Sequence, residues 1–443
     1  MTLAVRSQRI LTPEGLRPGA VLIDGERILG IADAPPADAT VHDVGDDVVL
    51  PALTDSHVHV NEPGRTEWEG FASATKAAAA GGVTMIVDMP LNSDPVTTSL
   101  AALEAKLAAT AGKLWVDVGF WGGVVPGNTA ELAPMARRGV LGFKCFTCHS
   151  GIDDFPASTE ADLRLAMPVL RDSGVPLLVH AELESALTNA FADASPRAYA
   201  RYLHSRPPAW EDAAVAMVAT LVEATGCAAH IVHLSSAGAL DTLRRAKAKG
   251  LPLTAETCPH YLGLADDEIP DGATEFKCAP PIRDRGNQDR LWAALRDGTL
   301  DFVVTDHSPC VPALKRFDTG DFLDAWGGIA SLQLGLRSVW THAGARGIPL
   351  ERVVHWMSTG PAAFVGRPDR GALRPGATAD FVVFRPEAQA RVDAAELLQR
   401  HPISPWVGRA LAGEVRETWL RGQRIAERGR VDGSPTGRTV LGR

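Results

Sequence analysis

The chain has 443 residues, 45% of them hydrophobic and 22% charged, and a formal net charge of −9. That balance supplies a large core and excludes a disordered chain, while the scatter of lysine and arginine excludes the basic stripe of a nucleic-acid binder. No stretch reaches the roughly 18 consecutive apolar residues of a membrane-spanning helix, so the expected partner is a small molecule, with no nucleic acid and no membrane.

The opening MTLAVRSQRILTPEG turns polar within a few residues and lacks the apolar core and cleavage site of a secretory leader. The expected location is the cytoplasm, where Cys145, Cys148, Cys227, Cys258, Cys278 and Cys310 would be reduced thiols. Residues 1–50 read as short β pieces punctuated by turns, with an Asp24-Gly25 hairpin signal inside AVLIDGERILGIA. Residues 366–443 repeat that style, in ADFVVFRP and VRETWLRGQRIAERG. The two terminal segments are expected to pair into one small β-sandwich domain.

The middle, residues 51–365, is regular. Strand-like runs occur at 53–60, 83–89, 115–121, 141–146, 176–182, 229–235, 251–257 and 301–307. Between them lie alanine-rich segments such as EWEGFASATKAAAAGG, apolar at three-to-four spacing and stopped by glycine. Eight alternations of strand and helix predict an α/β fold, a (β/α)8 TIM-like barrel.

Polar, metal-competent residues sit at the C-terminal ends of these runs: His57 and His59, Lys144, His180, His233 and Asp306. In such barrels that end is the active-site face. The period of two along a strand turns His57 and His59 to the same inward face. Four imidazoles and a carboxylate suit a zinc-class centre. His230, three residues before His233, is expected to face away from the barrel interior and to be structural.

GFKCFTCHSG, residues 142–151, holds a literal C-x-x-C-H, a pattern associated with haem attachment, and a C-x-x-C associated with thiol redox. A cytoplasmic location weakens the haem reading, and a lone C-x-x-C is a weak signal. Lys144 is the more telling residue. It lies in an apolar run, GVLGFKCF, level with the other ligands, although an ammonium beside a dication is disfavoured. A neutral lysine that captures CO2 becomes an anionic carbamate able to bridge two metals, which in turn stabilise it. Cys145 should then face outward, and Cys148 should lie beyond the strand.

The order H-x-H, K, H, H, D, with the flanking stretches PALTDSHVHVNEPG and GALRPGATADFVVF, resembles the amidohydrolase superfamily over almost the whole chain. The likeness is to its binuclear members that open cyclic amides: dihydroorotases, hydantoinases or dihydropyrimidinases, and allantoinases. It implies two divalent ions, zinc in class, held by His57, His59, carboxylated Lys144 (N6-carboxylysine), His180, His233 and Asp306. It also implies a bridging hydroxide, with Asp306 as catalytic acid/base, and a homo-oligomer, dimer or tetramer. Residues 57–98 resemble the allantoinase branch. Asn61 stands where dihydroorotases carry an arginine for the substrate carboxylate, which points to a neutral ring such as allantoin and to a place in purine nitrogen catabolism. The resemblance further implies substrate contacts from Asn61, Asn92, Cys278 and Ala279 in KCAPPIR, and Ser308. His149 stands where hydantoinases carry an oxyanion-stabilising tyrosine, and is a further candidate contact. Glu182 and His260 are candidates to orient ligands. Two alternatives stay open: a hydantoinase-type or dihydroorotase-type hydrolase, and a non-enzymatic barrel homologue.

Overall fold

The computed structural model describes residues 2–12, 14–187 and 194–442. The terminal sheet is built from β1 (Leu3–Thr12), β2 (Gly15–Asp24), β3 (Arg27–Ala32), β4 (Thr40–Asp43) and β5 (Val48–Pro51) at one end of the chain. The barrel follows with β6 (Leu53–Val58), β7 (Val83–Asp88), β8 (Asp117–Phe120), the short β9 (Gly122–Gly123), β10 (Phe143–Phe146), β11 (Leu177–His180), β12 (Ala229–Ile231), β13 (Leu253–Thr257) and β14 (Phe302–Val303). The terminal sheet is completed by β15 (Phe381–Arg391), β16 (Ala410–Leu420) and β17 (Gln423–Glu427).

Every barrel pairing is parallel, in the order β6-β7-β8 and then β9 through β14. β8 and β9 are nearly continuous, and the Leu141 N–H donating to Phe120 O (2.9 Å) carries the sheet across to the segment leading into β10. A parallel bridge between Val58 and His307 closes the circle. Period-two alternation then sorts the side chains. Met85, Val87, Trp121, Phe146, Leu178 and Val232 fill the interior, while Ile86, Val118, Phe143, Cys145, Leu177 and Val179 face the helices. The helix Glu160–Asp172 shows why such segments start where they do: the Thr159 side chain accepts from Asp162 N–H, and Asp162 reaches back to Thr159 N–H.

The expected sandwich takes the form of one continuous sheet. β17-β16-β15-β5-β1-β2-β3 are hydrogen-bonded in that order, with β4 pairing β1. Ile28 on β3 and Trp419 on β16 share an apolar cluster with Val5, Val49 and Phe381 although several strands separate them. The sheet curls, because Arg27 on β3 bridges Thr378, just before β15, and Ile28 N–H donates to Ala377 O (2.9 Å). The other face, including Val48, Leu50, Val382 and Phe384, packs into the barrel core. β5 runs almost directly into β6, so this sheet anchors the first ligand-bearing strand.

The segment before the C-terminus lies against the barrel: Val118 N–H donates to Arg438 O (2.9 Å) and Val440 N–H to Val118 O (2.8 Å). Beside it, Asp117 is buried and accepts from Arg421 (2.6 and 2.7 Å), from Arg438 N–H (2.8 Å) and from Arg370. No helix among the described residues is long and apolar enough to cross a membrane.

Candidate metal centre and its cavity

The C-terminal ends of the barrel strands bring the predicted ligands together. His57 Nε2 lies 3.1 Å and His59 Nε2 3.5 Å from Asp306 Oδ1. His180 ends β11, and its Nδ1 faces His233 Nε2 at 3.0 Å. The His57 and His233 ring centres are 5.3 Å apart, which joins the two halves. All of these groups are buried. Lys144 reaches the same place from β10, with its ammonium 4.9 Å from the centre of the Phe146 ring, which stacks on His180. Burial lowers the Lys144 pKa to about 8, even though the Asp306 and Glu256 carboxylates oppose the loss of charge.

Carboxylates behind the ligands set which nitrogen faces inward. His57 Nδ1 pairs with Glu256 Oε1 at 2.6 Å, leaving Nε2 toward Asp306. His180 Nε2 pairs with Glu182 Oε2 at 2.6 Å, leaving Nδ1 toward His233, and Arg206 pairs with the same Glu182 oxygen. Burial pushes His59 and His180 down to about 4, and His233 well below the ordinary histidine range. His57 goes the other way: burial opposes its charge, but Asp306 and Glu256 outweigh it and lift the pKa to about 9. Three neutral imidazoles, the His57 ring paired with Asp306, and that carboxylate held well below its ordinary pKa despite burial form the donor set of a transition-metal centre, and divalent ions fit it.

Several of these placements depend on backbone that L-residues rarely adopt. His233 (φ 38°) and Asp306 (φ 46°) are left-handed, as are Asn61 (φ 66°) and Asn92 (φ 64°). The turn at His233 corrects one expectation. His230 faces into the barrel, not away from it. It is in register with Leu178, an interior residue, and its Nδ1 meets Thr254 Oγ1 at 2.7 Å while Nε2 lies 3.1 Å from Glu256 Oε2. β12 stops at Ile231, so strand parity does not carry through to His233. His230 sits beneath the centre, with its ring nitrogens turned to Thr254 and Glu256.

A cavity of about 420 Å³ opens from the ligands. Among the predicted contacts, Asn92, His149, Ala279 and Ser308 line it; Asn61 and Cys278 do not. Asn61 is buried with its amide donating to Pro309 O at 3.2 Å, and the Cys278 carbonyl accepts from Tyr202 Oη at 2.6 Å. His149 is exposed at the mouth, where its Nδ1 accepts from Gly151 N–H. Cys145 packs outward, as expected, and Cys148 Sγ is 4.0 Å from Glu182 Oε2. Burial pushes both thiols up to about 12, which does not suit redox chemistry. His260 is buried against Tyr261, and neither ring nitrogen has a hydrogen-bond partner among the described residues.

Sequence reasoning did not single out Glu256, Arg206, Tyr202 or Lys277. Glu256 was within reach of it, as the penultimate residue of the strand-like run 251–257 and on the face that alternation turns inward. The other three come from connections, Tyr202 and Arg206 after β11 and Lys277 after β13, that no periodicity marks.

The sequence model of the amidohydrolase family matches residues 48–425. An allantoinase of Streptomyces avermitilis is 49% identical over 441 residues, covering 99% of this chain and 98% of that protein. One from Arabidopsis thaliana is 44% identical, covering 96% and 88%. Among solved structures, the L-hydantoinase (dihydropyrimidinase) from Arthrobacter aurescens superposes with a TM-score of 0.92 over 99% of both chains, at 28% identity.

Proposed function

The chain belongs to the amidohydrolase family, and from that premise we propose that its barrel opens the hydantoin ring of allantoin by hydrolysis, giving allantoate. The full-length likeness to allantoinases carries this choice over other cyclic amides. Asn61 supports it, since no cation stands at that position to meet the carboxylate of dihydroorotate.

In this reading His57, His59, His180, His233, Asp306 and Lys144, the last as N6-carboxylysine formed with CO2, hold two zinc ions. When bound, such a pair polarises a carbonyl and acidifies water. The chain's own residues do the rest. Glu256 and Glu182 keep the His57 and His180 nitrogens aimed inward. Asp306 accepts one proton of the attacking water and delivers it to the ring nitrogen as the C–N bond breaks, and the water's second proton leaves when the new carboxylic acid ionises to allantoate. Asn92, Ser308, His149 and the backbone at Ala279 contact the ring from the cavity wall, with Asn61 and Cys278 supporting from behind. The reading includes a cytoplasmic homo-oligomer, dimer or tetramer, which light scattering tests.

The deciding assay gives purified protein zinc and bicarbonate and offers allantoin, hydantoin, dihydrouracil and dihydroorotate. Allantoin should be the best substrate. Turnover of hydantoin or dihydrouracil with none of allantoin would replace this reading with the hydantoinase one.

A further inference from the structure

Two lysines are buried side by side behind the loop that forms one wall of the cavity. Lys277 is 8% and Lys315 4% exposed. Lys277 Nζ donates to Leu323 O (3.0 Å) and Ala325 O, and Lys315 Nζ to Trp326 O (3.1 Å) and Gly328 O. Four carbonyls of a six-residue stretch thus point at two ammonium groups. No carboxylate among the described residues lies within the 4.0 Å salt-bridge distance of either. A buried cation satisfied only by neutral acceptors is costly, and structures retain such groups where they are used.

The two lysines differ in what else they face. Lys277 lines the catalytic cavity, and Lys315 does not. Lys277 also sits 4.9 Å from the centre of the Tyr202 ring and close enough to Arg206 to feel its charge. In its protonated form Lys277 has three N–H donors, and two of them are committed to the loop. The allantoin ring bears an exocyclic ureido arm whose carbonyl is a strong acceptor, whereas plain hydantoin has no such arm.

We propose that Lys277 is a specificity residue, its remaining N–H binding the ureido carbonyl of the substrate, while Lys315 only holds the loop. This rests on the allantoin reading above. The recognised class is therefore hydantoins bearing an acceptor-rich arm at the ring carbon.

Steady-state kinetics of the zinc-loaded enzyme on allantoin and on hydantoin, for wild type, Lys277→Met and Lys315→Met, test it. Lys277→Met should lose about 10- to 100-fold more in kcat/KM for allantoin, mostly through KM, than for hydantoin, whose smaller loss should match that of Lys315→Met because both variants release the loop. Retained hydantoin turnover certifies that the variant is folded and metallated. Lys315→Met should move both substrates together. Equal losses on both substrates in Lys277→Met would overturn the proposal and reduce Lys277 to a loop anchor. Should Lys277→Met fail to fold, the wild type decides: it should prefer allantoin to 5-propylhydantoin, which replaces the ureido arm with hydrocarbon, by about tenfold or more, and equal rates would overturn the proposal. A wild type inactive on allantoin but active on hydantoin would refute the allantoin reading itself, and this proposal with it.

Discussion

Replacing Glu256 by glutamine keeps the side chain's shape and removes its charge. In the native site Oε1 meets His57 Nδ1 at 2.6 Å and Oε2 lies 3.1 Å from His230 Nε2, with all three residues almost wholly buried. Burial alone would raise the Glu256 carboxyl, but His57 and His230 outweigh it and hold the pKa at about 2. A hydrogen bond to a charged group contributes about 1.5–3 kcal/mol and a neutral one about 1 kcal/mol. The exchange should therefore cost zinc binding on the order of 1–2 kcal/mol, or about 5- to 30-fold in affinity. If the amide instead presents its NH2 to Nδ1, the imidazole proton moves to Nε2, the nitrogen meant for the metal, and the loss is larger. Competition between Glu256→Gln and a zinc chelator reads the affinity, and kcat/KM at saturating zinc reads what remains. An affinity within about twofold of wild type would show that β6 alone orients His57, and the reasoning would fail.

Other changes probe different parts of the chain. Lys144→Ala should abolish turnover, with short carboxylic acids partly restoring it, and intact mass should show one added CO2 on the wild type; an unmodified lysine in a fully metallated, active enzyme would exclude the carbamate. Asp117→Asn leaves Arg370 and Arg421 short of a buried counter-charge and should cost about 3 kcal/mol or more in urea unfolding. Burial, helped by Lys315, holds Lys277 at about 7, against 10.5 for the free side chain. Between those values the unfolded chain binds more protons, so wild-type stability should rise with pH relative to Lys277→Met by up to about 1.4 kcal/mol per pH unit and level off below pH 7. A flat difference across pH 7–10 would show that Lys277 stays protonated in the folded protein.

The barrel was legible because its signal is repeated. Each of the eight predicted runs contains an observed strand, and the polar residues of the ligand-bearing runs lie near the strand ends: His180 closes β11, His57 and His59 flank the last residue of β6, Lys144 is inside the short β10, and His233 and Asp306 follow β12 and β14 within three residues. The inward turn of His57 and His59 followed from alternation alone, since both lie at one strand end. His233 did not follow: alternation holds only within a strand, β12 is three residues long, and beyond it a left-handed residue resets the direction of the side chains. The same limit hid Lys277, whose place on the cavity wall is fixed by a loop roughly 50 residues away in sequence. The terminal segments were legible as β structure by composition and turn chemistry, but a curled single sheet and a two-layered one have the same alternation, so pattern alone did not separate them.

Asn61, Asn92, His233 and Asp306 hold a backbone conformation that glycine would occupy without steric strain and that each side chain occupies at about a kilocalorie or more. Selecting variants of this enzyme for heat resistance alone would therefore favour glycine at these four positions. Two of them are proposed metal ligands, and a third lines the cavity. The easiest gains in melting temperature and the functional groups occupy the same residues, so a thermostability screen that does not also measure turnover would select for a sturdier protein with an emptied centre.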